Sequence, residues 1–243
     1  MKRQYVRFAE VYDKWMQNID YTEWWQYLAT TFSLYKGMRV LEVGCGTGSL
    51  TEHMLKAGLS VVASDNSIEM LTQAEAKLRG YSQCSLLRLD LRRLPPDLGK
   101  FDAVVAACDV VNYLRSIGEL TLFLNGARQL LTDNGVLLFD VHGPGHITGW
   151  LNSPYYNRVG ENSCYMLNVT MSKARITQHL TGFVRGANNS WTRFEEIHRQ
   201  TFFEVNSLLK ILHESGFRQN EAYEFGTQDK PDSNTLRIQI AAR

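Results

Sequence analysis

The chain has 243 residues, 44% of them hydrophobic, with 26 basic and 25 acidic side chains and a formal net charge of +1. That length fits one domain, or one with a subdomain, and suffices to bury a sizeable core. The near-zero charge argues against a general nucleic-acid surface, the lack of an 18-residue apolar run against a membrane span, and four scattered cysteines without a C-x-x-C pair against a zinc site or a disulfide framework. The opening residues carry no apolar signal core, so reduced thiols and a cytoplasmic setting are expected.

Residues 1–36 are dense in aromatics from Tyr5 to Tyr35, at spacings consistent with amphipathic helices. A short apolar run, Arg39-Val40-Leu41, then leads into Glu42-Val43-Gly44-Cys45-Gly46-Thr47-Gly48 and a helical pattern from Leu50 to Ala57. Strand, glycine-dense turn and helix in that order make a cofactor loop. Backbone that passes close to a ligand leaves no room for a Cβ, and the helix presents free N–H groups to whatever the turn holds. The glycine spacing narrows the choice. A dinucleotide loop needs glycine at its first, third and sixth positions, but the sixth from Gly44 is Ser49. A triphosphate loop ends in Gly-Lys-Ser/Thr, and no lysine follows Gly48.

Further along, Leu59 to Ser64 reads as a second buried strand ending at Asp65, 23 positions after Glu42. A carboxylate about 20 residues on can accept both ribose hydroxyl protons. Ser67 is placed to N-cap a helix with Ile68, Leu71, Ala74 and Leu78 as its buried stripe. Cys84–Leu89 is a third strand, before Asp90-Leu91. Asp90 is either a turn residue or a ligand contact. Phe101–Ala107 is a fourth strand. Ile117, Leu120, Phe123, Leu124, Ala127, Leu130 and Leu131 recur at helical spacing, Thr132–Gly135 is a turn, and Val136–Val141 a fifth strand.

The period then changes to two. Tyr165, Leu167, Val169 and Met171 share one face; Ile176, Leu180 and Val184 share another. Gly186–Asn189 is a hairpin loop, and Trp191–Phe202 a further strand. This predicts an antiparallel insertion of three or four strands over 146–203. On its last strand Phe194, Glu196, His198 and Phe202 face one side, and Trp191, Arg193, Glu195, Ile197 and Arg199 the other, with the inward side left open. A helix over Val205–Glu214, stopped by Gly216, and strands near Arg218–Phe225 and Leu236–Ala242 close the chain.

The E-x-G-x-G-x-G loop, the F-D-x-V start at Phe101 and the L-x-x-x-G-x-L-L-F-D run ending at Asp140 resemble the class I S-adenosylmethionine (SAM) methyltransferases. The insertion, its Arg193-Phe194-Glu195-Glu196-Ile197-His198-Arg199 stretch and the opening Phe8-Ala9-Glu10-Val11-Tyr12-Asp13 resemble the bacterial small-molecule branch, including amino-sugar N-methyltransferases. The resemblance implies an α/β fold: a Rossmann-like, doubly wound, seven-stranded sheet, an antiparallel β insertion after the fifth strand and an N-terminal helical lid. It divides the chain into a lid (1–36), a SAM-binding core (37–145), an acceptor roof (146–203) and the last core elements (204–243). It implies SAM contacts by Tyr12, Glu42, Gly44, Cys45, Gly46, Gly48, Asp65, Asn66, Met70, Asp90, Leu91 and Asp109. Tyr21 and Trp24 are further lid candidates.

An N or O atom of a small-molecule acceptor would attack the SAM methyl group in line, with no metal. An attacking amine must be neutral, so His198, Asp109, Tyr113 and His142 are candidates for its base or polar partner, with His198 first because an ordinary imidazole titrates near working pH. Asp109 is equally a helix-start residue or a contact to the cofactor ammonium, and His198 equally an ordinary sheet histidine. His53, His146, His179 and His213 read as structural or solvated. Two family patterns are altered. D-x-x-T-P stands as Asp140-Val141-His142-Gly143-Pro144, and D-S-x-N-Y as Asp109-Val110-Val111-Asn112-Tyr113. RNA or protein methylation and a SAM-binding module without transfer are the competing readings. A monomer or homodimer is expected.

Overall fold

The structure is a computed structural model that describes residues 8–186 and 188–243. Tyr5 and Ala187 therefore lie outside the described residues. Two helices, α1 (Phe8–Trp15) and α2 (Tyr21–Phe32), precede the first strand. Asp20 caps α2, its carboxylate accepting from the N–H groups of Thr22 and Glu23. The core strands are β1 (Arg39–Val43), β2 (Ser60–Asp65), β3 (Cys84–Arg88), β4 (Phe101–Ala106), β5 (Leu131–His142), β10 (Asn220–Glu224) and β11 (Arg237–Ala242), in the order β10-β11-β5-β4-β1-β2-β3. β1 to β5 are parallel, and β11 runs antiparallel between β5 and β10. Helices α3 (Ser49–Lys56), α4 (Ile68–Leu78), α5 (Ile117–Leu130) and α7 (Val205–Glu214) cover the two faces. Both faces being covered explains why the strands read as near-continuous apolar runs.

The F-D start of β4 has a local cause. Asp102 accepts from the Arg39 N–H at 2.8 Å, and the Arg39 guanidinium lies over the Phe101 ring. These contacts set the β1–β4 register. The expected turn at Thr132–Gly135 lies inside β5 as an irregularity: Phe101 pairs with Leu131, but Ala103 pairs with Val136. Four residues loop out and the ladder resumes, so β5 starts earlier than the hydrophobic pattern suggests. Ile68 is exposed; the buried stripe of α4 is Met70, Ala74 and Leu78, with Leu71 partly covered. The stripe starts at the third residue, Met70, because Ile68 at the head of α4 opens onto the cavity described below.

After β5 the chain forms a helix that the hydrophobic pattern did not predict, α6 (Pro144–Asn152), started by Pro144 at its first position. A second, antiparallel sheet follows in the order β6-β7-β8-β9: β6 (Tyr155–Val159), β7 (Ser163–Ser172), β8 (Arg175–Arg185) and β9 (Trp191–Thr201). This is the four-strand form of the expected insertion. Helix α1 lies against its inner face. Trp15 stacks on Phe194 and donates to the Ser163 hydroxyl, and Arg158 donates to the Trp15 carbonyl at 2.7 Å. The seat is bare backbone: a Cβ on Gly182 would stand 2.4 Å from the Phe194 ring and 2.7 Å from the Trp15 ring. The opposite side of α1 is held by Asp13, which accepts from the Thr47 hydroxyl at 2.5 Å and pairs with Lys77 at 2.9 Å.

Candidate active site

A cavity of about 1170 Å³ lies between the C-terminal ends of β1, β2 and β4, the helix α1 and the inner face of the second sheet. Its core-side wall starts at the glycine loop. Gly44 and Cys45 donate to the Ser64 carbonyl, and Gly48 to the Cys45 carbonyl, which folds the loop back on itself. Gly44 has φ +75°, and a Cβ there would stand 2.5 Å from Val110. Only glycine fits that backbone and that gap. Gly44 and Gly46 line the cavity. Glu42, Cys45 and Gly48 do not; they support the loop from behind. Glu42 is buried and accepts from the Thr51 hydroxyl, and burial raises its carboxyl pKa to about 7. Cys45 packs in the core between the sheet and α2–α4. Gly48 begins α3 in the left-handed region, its Cα close to Leu78.

Asp65, Asn66 and Met70 line the next stretch of wall. The two Asp65 oxygens accept from the N–H groups of Gly46 (3.0 Å) and Ser67 (2.8 Å), so one carboxylate ties the loop to the start of α4. Burial raises its pKa against those bonds. Asp90 and Leu91 also reach the cavity. The Asp90 carboxylate is held by Arg92, with Nε donating at 2.8 Å, and that bond keeps its pKa low. Any ligand amino group must share it. Tyr12 faces the loop from α1. Tyr21 is hydrogen-bonded to Tyr12 and to the Cys108 thiol, and burial raises its pKa strongly. Trp24 lies away from this cavity, in the core, with Arg237 stacked on its ring at 5.0 Å.

The chemistry beyond the end of β4 rests on long-range contacts. Cys108 and Asp109 both take positive φ, 63° and 54°. Strain of this kind in non-glycine residues persists only where surroundings hold it. The Asp109 N–H donates to Asp140, while its side chain accepts from Arg237 at 3.0 Å and Gln200 at 2.7 Å. Arg237 also pairs with Asp140. Burial is the largest influence on Asp109 and pushes its pKa up, but the pull of His142 and Arg237 and the bonds from Gln200 and Arg237 outweigh it and hold the pKa low. Asp140, fully buried, is pushed up by desolvation. One guanidinium between two carboxylates thus separates their acidities.

β9 presents Glu196, His198 and Gln200 inward, and the odd-numbered side chains outward, which settles the open choice of face. His198 lies 3.0 Å from the Tyr113 hydroxyl through Nδ1. Its pKa does not lie near neutrality as expected: burial lowers it to about 4, so the ring is neutral at physiological pH. Gln200 bridges His142 Nε2 (2.9 Å), Gln178 (2.8 Å) and Asp109. His146, expected to be structural or solvated, lines the cavity beside Trp150 at 4.0 Å between ring centroids, and burial lowers its pKa to about 4. Gln178, Gln200, Trp150 and Arg237 were not singled out from sequence. Gln200 was legible as a polar residue two places after His198 on one strand face. Arg237, 128 positions from Asp109, left no local signal. Among the described residues no group of three or more His, Cys, Asp or Glu is arranged to hold a metal, and no helix is long and apolar enough to cross a membrane.

A methyltransferase-domain family model matches residues 41–137, the stretch from β1 to β5. A protein of Geobacillus sp. (strain WCH70), named as a candidate methyltransferase, is 30% identical over 98% of this chain and 99% of its own. The chain belongs to the SAM-dependent methyltransferase family. A SAM-dependent methyltransferase from Clostridium acetobutylicum ATCC 824 has the same fold at TM-score 0.86, with 24% identity and 98% of each chain covered. The sugar N-methyltransferase KedS8 from Streptoalloteichus sp. matches at TM-score 0.80, with 18% identity over 96% of this chain and 92% of that one. In both comparisons the match covers nearly the whole chain, so the fold they share includes the second sheet as well as the core.

Proposed function

We propose that this methyltransferase moves the methyl group of SAM to a nitrogen or oxygen of a small-molecule acceptor by in-line displacement. The observation that carries the reading is the single cavity shared by the glycine loop and the Tyr113–His198 pair. At about 1170 Å³ it exceeds the few hundred to about 1,000 Å³ of a site for one drug-sized ligand, and has room for donor and acceptor together. The fold similarity to a sugar N-methyltransferase supports the same acceptor class.

In this reading the backbone at Gly44 and Gly46 lies against the methionine half of SAM, and Asp65 takes the ribose hydroxyls. Asn66 and Met70 flank the nucleoside, Asp90 shares its carboxylate between Arg92 and the adenine amino group, and Leu91 packs on the ring. Asp109, kept ionised, faces the ammonium, with Tyr12 on α1 closing the methionine end. Expelling water beneath α1 strengthens these interactions. The chain's contribution to transfer is alignment of nucleophile, methyl carbon and sulfur. Neutral His198, with Tyr113, orients the attacking group by hydrogen bonding; with a pKa near 4 it acts as a weak base rather than a matched one.

The test is radiolabel transfer from methyl-labelled SAM into a metabolite extract of the source organism, followed by acid precipitation. Label is expected in the soluble low-mass fraction. Label confined to precipitated RNA or protein would overturn the small-molecule reading.

A further inference from the structure

The Tyr113–His198 pair accounts for only one end of the wall that the second sheet gives to the cavity. On the inner face of that sheet His198 on β9 stands opposite Gln178 on β8, and Gln178 stands opposite Val169 on β7. Trp150 on α6 packs in one apolar cluster with Val169 and Ile176. The row therefore runs from His198 across two strand spacings to α6, roughly 10 Å. His146, one turn before Trp150 on α6, has its ring 4.0 Å from the Trp150 ring, and both line the cavity with Gln178. His142 meets the two rings edge-on at 5.0 and 4.9 Å, and its Nε2 lies on the same Gln200 oxygen that takes the Gln178 amide N–H. Helix α6 and the strand row thus form one connected wall.

The wall is firmly seated. The N–H groups of Gly143 and Gly145 donate to the carbonyls of Leu236 (2.8 Å) and Thr235 (3.0 Å), and a Cβ on either glycine would collide with the backbone of Asn234–Leu236. The rings that α6 carries are fixed in place, as a selective site requires. Their polar atoms are left open. Neither the His146 ring nor the Trp150 ring makes a hydrogen bond with any described residue, and none of their nitrogens is sealed inside the protein. Gln178 gives its amide N–H to Gln200, and its own carbonyl oxygen has no partner among the described residues. Burial keeps the His146 ring neutral, so it offers one donor and one acceptor. The Trp150 indole adds a donor and the Gln178 carbonyl an acceptor. Apolar ring faces edged by uncharged donors and acceptors match hydroxyl and amide groups, and give no counter-charge to an ion.

We propose that His146, Trp150 and Gln178 form the acceptor's specificity subsite, and that the part of the acceptor they hold is uncharged, with an apolar face and hydroxyl or amide groups along its edge. The nucleophile lies at one end of the row, at Tyr113 and His198, and the subsite takes the body of the acceptor at the other. The inference rests on the small-molecule reading above and narrows its substrate class. A phosphate or carboxylate on this part of the acceptor would lose its hydration to a wall without a cation, since α6 and the inward faces of β7 and β8 carry no lysine or arginine. The subsite therefore selects on charge as well as on shape.

The experiment uses the intact protein, methyl-labelled SAM and the acceptor purified from the extract by following the transferred label. His146→Phe keeps a ring and removes its nitrogens; it should raise KM for that acceptor roughly tenfold, the worth of one or two hydrogen bonds, with kcat at the parent value. Trp150→Phe should raise KM severalfold. His146→Gln, which restores a donor and an acceptor, should recover part of the loss, and His146→Lys should raise KM further. S-adenosylhomocysteine affinity, read by calorimetry, should stay at the parent value in each variant and show that it folds. Diethyl pyrocarbonate, which modifies neutral imidazole, reads the contact directly: with S-adenosylhomocysteine bound, added acceptor should protect His146, as followed by mass spectrometry. Parent-like KM in both His146→Phe and Trp150→Phe overturns the subsite and leaves the methyl-transfer reading standing. So does modification of His146 at one rate with and without acceptor. A lower KM in His146→Lys places an anion there and overturns the uncharged class. Label only in precipitated RNA or protein overturns both readings, as does no transfer into any fraction.

Discussion

On the reading proposed above, the donor side and the acceptor side of the cavity are built from different materials. On the donor side the wall is backbone and short side chains, fixed by bonds such as Gly44 and Cys45 to Ser64 and Asp65 to Gly46. On the acceptor side the wall is long polar side chains drawn from β9, β11, α6 and the segment after β4, joined in one network through Asp109, Gln200 and Arg237. The first kind of wall tolerates little change and suits a ligand that stays the same. The second can be altered residue by residue while the core stands, and suits a ligand that differs between relatives.

The sharpest way to break that contrast is Gly44→Ala. Its Cβ would meet Val110 at 2.5 Å on backbone at φ +75°. Strain and overpacking together cost about 3 kcal/mol, so S-adenosylhomocysteine affinity should fall roughly a hundredfold by calorimetry. Parent-like affinity would show that the loop is softer than its contacts imply. Next in size is Asp65→Ala, expected to weaken SAM binding more than tenfold, since charge-assisted bonds on the order of 1.5–3 kcal/mol are lost. Because Asp65 also holds Gly46 and Ser67, Asp65→Asn separates the roles: it keeps an acceptor and should recover part of the affinity. Unchanged affinity in a folded Asp65→Ala protein removes Asp65 from the site.

On the other side, His198→Ala should leave SAM affinity intact and lower kcat about tenfold, the worth of one orienting hydrogen bond. Full turnover with the true acceptor would make His198 a structural residue. The smallest effects are in pH. His198 and His146 have native pKa values of about 4 against an ordinary 6.5, so the unfolded chain binds more protons between those limits. Their contribution to stability is present above pH 6.5 and is lost as pH falls through that window. Glu42 has the opposite sign: raised from 4.5 to about 7, its carboxyl destabilises the fold as pH rises through that range. Glu42→Gln should therefore raise the melting temperature by a few degrees at pH 8 and change it little at pH 5. A flat difference across pH would place the Glu42 carboxyl in its ordinary range.

What could be read from the sequence follows the same division. The strands of the core, α7 and the face alternation of β7 and β8 are periodic over several residues, and local periodicity reports local burial. The second sheet was legible for the same reason, and so was Gly44. Helix α6 escaped because Pro144–Asn152 carries two glycines and little amphipathic pattern. The β5 irregularity escaped because Thr132–Gly135 has turn chemistry, whether it ends a strand or bulges from one. Ile68 looked buried by spacing, but the first turn of α4 faces the cavity. The acceptor network was least visible: Asn112 reaches Thr201, Gln200 reaches Asp109, and Arg237 reaches back across most of the chain. No pattern within a window of residues encodes such contacts. The depressed pKa of His198 belongs to the same class, since burial by other elements sets it.

Helix α1 touches both kinds of wall. Asp13 grips Thr47 and Lys77 on the donor side, while Trp15 fills the bare seat at Gly182 on the acceptor side. The two halves are consequently not freely exchangeable parts. A roof transplanted from a relative would arrive without the residues that anchor it, unless Phe8–Trp15 came with it as a matched cassette. New acceptor specificity in this scaffold is thus inherited as a pair of segments far apart in the chain, the opening helix and the four-stranded roof, that must recombine together.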